Sequence, residues 1–185
     1  MRAFFGLSPD IKTKLAIQVW RSKAFACFNA PVPAANFHIT LAFLGQISPQ
    51  QREALCEGVN QIPEVQTFDV LLNQVGYWSK PKAFWLGCQD TQNEHLHLSK
   101  SLTQVANTIG LALPKQNYIA HLTLAKKCSL PPPAPLMVPK FTWHNTEFHL
   151  YESVSVNRGV SGKKGVSYHI RHTWPLARLF ALKSV

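Results

Sequence analysis

Hydrophobic positions change period several times along this 185-residue chain. Residues 3–7, Ala-Phe-Phe-Gly-Leu, read as an extended strand. Ser8-Pro9-Asp10 then reads as a helix start, with Ser8 as the cap and Pro9 in the first helical position, where its missing N–H costs nothing. Ile11, Leu15 and Val19 recur at spacing four along the helix that follows. After an apolar run over 37–44, Gly45 and then Ser48-Pro49 repeat the device, and Leu55, Val59 and Ile62 mark a second helix that Pro63 stops. Phe68, Val70 and Leu72 alternate onto one face of a strand within 67–74, and 83–87 is a short apolar strand. Leu98, Leu102, Val105 and Ile109 line one side of an amphipathic helix closed by Gly110. A second apolar run covers 118–125, and the four prolines of 129–135 make a loop. Residues 141–156 and 167–174 read as strands, joined by a positively charged loop over 157–165 with three glycines. Strands and helices mix without regular βαβ alternation, which predicts an α+β fold with antiparallel sheets.

Composition narrows the class. Hydrophobic residues make up 46% and charged residues 15%, enough apolar material for a core. Lys and Arg number 19 against 9 Asp and Glu, a net charge of +10 that suits an anionic partner, nucleic acid before an acidic membrane surface. No apolar run approaches the ~20 residues of a membrane span, and the N-terminus lacks the pattern of a secretory signal. Cys27, Cys56, Cys88 and Cys128 are unevenly spaced with no Cys-x-x-Cys, so they read as reduced residues of a cytoplasmic protein rather than a metal cluster.

Candidate chemistry lies in the two apolar runs. Each carries the same pattern: His38-Ile39-Thr40-Leu41 and His121-Leu122-Thr123-Leu124. In a strand, residues i and i+2 share a face, so each pattern sets an imidazole beside a hydroxyl and turns the residue between them toward a core. Polar pairs on an apolar strand are costly to bury alone, and two copies suggest half-sites that meet. Two histidines can hold opposite protonation states near neutral pH, one taking a proton from a nucleophile while the other protonates a leaving group. Phosphoryl transfer needs such groups on opposite sides of phosphorus, with hydroxyls such as Thr40 and Thr123 on the non-bridging oxygens. His95 and His97 are two apart on the third helix, share no face, and are expected at the solvent. The recurring strand, helix and His-x-Thr strand point to a duplication.

The order of segments resembles the 2H phosphoesterase superfamily, and within it the RNA 2′,3′-cyclic phosphodiesterases once called 2′-5′ RNA ligases. The resemblance runs from Arg2-Ala3-Phe4-Phe5-Gly6-Leu7 through Phe37 to Gly45, Gly76-Tyr77-Trp78, Phe84-Trp85-Leu86-Gly87 and Ala120 to Ala125, and on to Leu150-Tyr151-Glu152-Ser153, Tyr168 and Pro175-Leu176. It implies one domain over 1–185 made of two intertwined lobes, with two antiparallel sheets related by approximate two-fold symmetry about a cleft and helices outside. It also implies hydrolysis of RNA 2′,3′-cyclic phosphate ends to 2′-phosphates, with the joining of a cyclic end to a 5′-hydroxyl as a side activity, and no need of a metal or other cofactor. His121 would activate water, His38 would protonate the departing 3′-oxygen, and Thr40 and Thr123 would hold phosphate. Phe43 matches an aromatic that stacks on the terminal base, although strict strand parity sends it to the core unless the strand ends or bulges first. Where relatives carry an arginine after the second motif, this chain has Lys126 and Lys127, which lack the bidentate fork. Arg158, Lys163 and Lys164 are candidate RNA contacts, and Glu152 would orient a neighbour. The implied partner is an RNA end with a cyclic phosphate, tRNA fragments among them, or a nucleotide, bound by a monomer away from membranes.

Two other readings fit the residues. One is a non-catalytic module that binds RNA ends in a basic cleft. The other keeps the chemistry and acts on 2′-5′ oligoadenylates or small cyclic nucleotides.

Overall fold

A computed structural model describes residues 1–25, 28, 30–114, 117–158 and 163–178, with the backbone alone at 157, 158, 163 and 164. The elements run β1 (Arg2–Leu7), α1 (Ile11–Ala24), β2 (Ala30–Pro31), β3 (Ile39–Gln46), α2 (Pro49–Asn60), β4 (Phe68–Leu72), β5 (Gln74–Trp78), β6 (Ala83–Gly87), α3 (Asn93–Thr108), β7 (His121–Lys126), β8 (Phe141–Asn145), β9 (Glu147–Arg158) and β10 (Lys163–Pro175). This is the expected α+β architecture. The main sheet has the order β10-β9-β1-β3-β7-β6-β5, with β2 also on β7, and β4 and β8 form a separate pair. All the ladders are antiparallel.

The element order repeats. β1–α1–β3 and β6–α3–β7 are both strand, helix, His-x-Thr strand. β5, from the first unit, pairs with β6 of the second, while β9, from the second, pairs with β1 of the first. Each unit therefore completes the other's half of the sheet. Besides β2 on β7, the halves join through one residue pair, Ile39 opposite Leu122. These are the middle residues of the two motifs, so a local two-fold axis passes between them. Leu7 lies opposite Ile39 and Leu86 opposite Leu122, the same place in each half. All four are fully buried. Burial of one such side chain is worth ~1.5–3 kcal/mol, and a one-residue slip would exchange this row for the motif polar groups. The register is thus set by the residues between the histidine and the threonine.

Local signals hold in part. Ser48 caps α2 in a full capping box with Gln51, as its sequence promised. The cap of α1 is Asp10 rather than Ser8, because its carboxylate accepts from both the backbone N–H and the hydroxyl of Thr13. The Ile11, Leu15, Val19 stripe faces solvent, and α1 buries Thr13, Ile17, Trp20, Arg21 and Ala24 instead. Buried Arg21 is satisfied by the carbonyls of Val32 and Leu124. The segment expected as a loop over 157–165 is largely the paired ends of β9 and β10, with 159–162 outside the described residues, as are Cys27 and the side chains of Arg158, Lys163 and Lys164. Among the described residues, no helix is long and apolar enough to cross a membrane.

Candidate active site

The single pair at the centre of the sheet decides where the motifs point. Directly opposed residues of an antiparallel pair share a face, and their neighbours along each strand take the other. With Ile39 and Leu122 in the core, His38, Thr40, His121 and Thr123 emerge together on the opposite face. There they line two adjoining hollows. One, about 380 Å³, is bounded by His38, Thr40 and Thr123 with Arg2, Lys126 and Tyr168. The other, about 850 Å³, holds His121 and Thr40 with Trp78, Lys80 and Ile119. Thr40 and Phe43 line both, so the hollows form one groove with the two histidines on either side of the shared wall.

Both imidazoles are anchored alike. Nδ1 of His38 lies 2.7 Å from the Asn36 carbonyl, and Nδ1 of His121 lies 2.7 Å from the Ile119 carbonyl, each two residues upstream. A carbonyl only accepts, so Nδ1 carries the hydrogen and Nε2 is left for chemistry in the neutral ring. Aromatic walls hold the ring planes. His38 packs against Phe4 at 4.6 Å and Tyr168 at 4.7 Å between centroids. His121 meets Trp78 at 4.5 Å. Behind Trp78, Trp85 lies against Gly76 and Gly87, where a Cβ would come within 2.0 and 2.6 Å of the indole. Glycine at those places leaves room for the ring, which stands edge-on to His121 at 6.2 Å between centroids.

Burial makes both imidazoles harder to protonate. His38 is lowered to about 4, mainly by loss of water, opposed by its bond to Asn36 and reinforced by the positive charges of Lys126, His121 and Lys14. His121 is lowered as well, by burial, with the Ile119 carbonyl pulling the other way. The charge of one histidine thus reaches the other, and burial favours the neutral form of both.

Phe43 stands in the groove, 48% exposed, because β3 bulges. Phe5 pairs with Ala42 and Gly6 with Thr40, which leaves Leu41 as an extra residue and reverses the parity beyond it. A second irregularity at Leu44 precedes Gly45, whose φ of 73° falls in the left-handed region glycine tolerates. Arg2 lies over the Phe43 ring at 5.2 Å. Lys126 ends β7 at the groove, while Lys127, at φ 58°, turns the chain away from the strand. Glu152 accepts from Arg171, the residue that β10 leaves unpaired opposite β9.

His95 is a correction. It is 1% exposed, not at the solvent, with Nε2 2.8 Å from the Tyr118 hydroxyl and its ring stacked on Phe68. Spacing held the signal: 95, 98, 102 and 106 form one helical face, all buried in α3. His97 is exposed as expected. Sequence reasoning also passed over Arg2, Phe4, Asn36, Ser153 and Ser155 as groove residues. For the two serines the signal was present, since Ser153-Val154-Ser155-Val156 alternates polar and apolar along β9.

Comparison with known proteins gives the family. Residues 12–85 match the family model described as LigT like Phosphoesterase. An RNA 2′,3′-cyclic phosphodiesterase of Escherichia coli (strain K12) is 30% identical over 159 residues, which cover 82% of this chain and 86% of that protein. The crystal structure of E. coli LigT complexed with 3′-AMP has a TM-score of 0.83 at 29% identity, covering 95% of this chain and 97% of that one. Another crystal structure, of a phosphoesterase, gives a TM-score of 0.80 at 27% identity, covering 95% of this chain and 98% of the other. With its paired His-x-Thr strands, this chain belongs to the LigT-like phosphoesterase family of the 2H superfamily.

Proposed function

We propose that the chain hydrolyses 2′,3′-cyclic phosphate ends of RNA to 2′-phosphates, in the cytoplasm, as a monomer of one domain. The observation that carries this is the Ile39–Leu122 junction, which turns both His–Thr pairs onto one face about a local two-fold axis. Both pairs come from one chain, so the site is complete without a second copy. β5 of the first unit pairs with β6 of the second and β9 of the second with β1 of the first, which suits one folding unit.

The phosphate sits between the imidazoles, its non-bridging oxygens accepting from the Thr40 and Thr123 hydroxyls. Nε2 of neutral His121 takes a proton from water as the water oxygen bonds to phosphorus. The P–O3′ bond breaks on the far side, and O3′ takes a proton from Nε2 of charged His38. Bond making and breaking in line give the 2′-phosphate, and His121 returns its proton to His38 through solvent. The bound anion offsets the burial that keeps His38 neutral, so substrate binding brings a proton with it. Lys126 adds positive charge beside His38, Arg158 extends it along the RNA backbone, and Phe43 stacks on the terminal base. The steps use only side chains of this chain, with no metal or cofactor. With a 5′-hydroxyl in place of water as the nucleophile, the same steps break the P–O3′ bond and leave a 2′-5′ linkage; cleavage of that linkage is the reverse.

The deeper depression at His38 favours a second assignment, with His38 as the base and His121 as the acid. A substrate with a 3′-sulfur leaving group separates the two, because the departing thiolate needs no acid. The decisive experiment for the reaction is incubation with an oligonucleotide ending in 2′,3′-cyclic phosphate, in EDTA. A 2′-phosphate product is expected. Binding without turnover would leave an RNA-end-binding module, and turnover confined to 2′-5′ oligoadenylates or cyclic nucleotides would change the substrate.

A further inference from the structure

Phe43 reaches the groove only because β3 holds an extra residue at Leu41. An extra residue costs something: its backbone drops out of the ladder with β1, and a buried carbonyl without a donor is unfavourable. The Leu41 carbonyl does have a donor. The hydroxyl of Ser99, on α3, lies 2.7 Å away and gives its hydrogen to that oxygen. Ser99 is 4% exposed, with buried Leu98 and Leu102 on the same helix. A hydroxyl in such an interface also needs a partner, so each group is the other's remedy.

We propose that Ser99 is a positioning residue for the nucleoside end of the substrate: its bond to the bulged carbonyl of Leu41 keeps Phe43 on the groove face. The inference rests on the reading of Phe43 as the stacking partner of the substrate's base. Regular pairing of β3 would return the Leu41 carbonyl to the ladder and rotate Phe43 toward the core side. The bulged and regular forms compete, and a donor at position 99 favours the bulged one. The irregularity at Leu44 and the left-handed Gly45 end the reversal, so the flip is confined to a few residues around Phe43. Ser99 touches no reacting atom in this scheme. It acts through the backbone on a residue 56 positions away in sequence.

The test compares kcat/KM for adenosine 2′,3′-cyclic phosphate and for base-free glycerol 1,2-cyclic phosphate, and takes their ratio. Phe43→Ala is expected to lower the ratio about tenfold or more, the range of a lost base–aromatic stack. Ser99→Ala is expected to lower it in the same direction by about threefold or more, through KM for the nucleoside substrate. Ser99→Thr, which keeps the hydroxyl, holds the ratio near wild type. The double variant falls no further than Phe43→Ala alone, because both changes remove the same contact. A loss in Phe43→Ala with none in Ser99→Ala, or losses that add, overturns the role of Ser99 while base stacking stands. An unchanged ratio in Phe43→Ala overturns the stacking reading itself.

Discussion

His38 and His121 are held by the same bond, Nδ1 to the carbonyl two residues upstream at 2.7 Å, yet their surroundings differ. His38 stands among Phe4, Tyr151 and Tyr168, with Lys126 and Lys14 adding positive charge, and is lowered to about 4. His121 stands beside Trp78 and Trp85, and no cation contributes to its smaller depression. The duplicated scaffold repeats orientation, which depends on the backbone of each motif. It does not repeat electrostatics, which depends on whatever the rest of the chain places nearby. A symmetric frame with asymmetric surroundings gives two like side chains unlike proton affinities, and acid–base catalysis by a pair needs that difference.

The largest test removes one histidine at a time. His38→Ala and His121→Ala should each lower kcat on a cyclic-phosphate oligonucleotide by about 10²–10⁴-fold, with RNA affinity largely kept. With the 3′-sulfur substrate, only the acid's variant should recover. Recovery in His121→Ala and not in His38→Ala would exchange the two roles.

The pH profiles sharpen the comparison next. Turnover needs one imidazole charged and one neutral, and both free-enzyme values lie below the usual 6.5. The optimum of kcat/KM should therefore fall below pH 6.5. Bound phosphate favours the charged form, so the basic limb of kcat should lie about one pH unit or more above that of kcat/KM. Coincident limbs would mean that the anion does not bring the proton. The two limbs belong to the pair and not to single residues.

A smaller effect concerns His95, which is buried and lowered to about 4 without any role in the scheme. Its folded value is below its unfolded one, so the unfolded chain binds the proton first, and stability is lost as pH falls from about 6.5 toward 4. Between pH 7 and pH 5 this one group should cost roughly 2 kcal/mol. Urea unfolding of His95→Gln, which retains a polar partner for Tyr118, should show a shallower decline than wild type over that interval. Equal slopes would show that His95 is free to protonate in the folded chain.

The motif residues were legible because their signal is local: an imidazole and a hydroxyl two apart on an apolar strand have one geometric meaning. The capping box of α2 and the alternation of β4 were legible for the same reason. Other readings failed where a local rule lost to packing. Spacing four along α1 described a stripe, but the sheet and the segment before β3 decided which side would be buried, and that was the side of Ile17 and Trp20. His95 is buried because it shares a helical face with Leu98, three residues on, a relation that its spacing from His97 does not carry.

Local sequence carries the two His-x-Thr motifs, the alternation that separates their polar and apolar residues, and the α+β class. Tertiary structure alone decided that the half-sites meet at a single residue pair, that an extra residue at Leu41 sends Phe43 to the groove, and that His38 loses its proton more readily than His121. The physical reason is range. Strand periodicity and capping are set by neighbours a few residues away, whereas pairing across β3 and β7, a donor from α3 and the loss of water around a buried ring depend on segments tens of residues apart, brought together only in the folded chain.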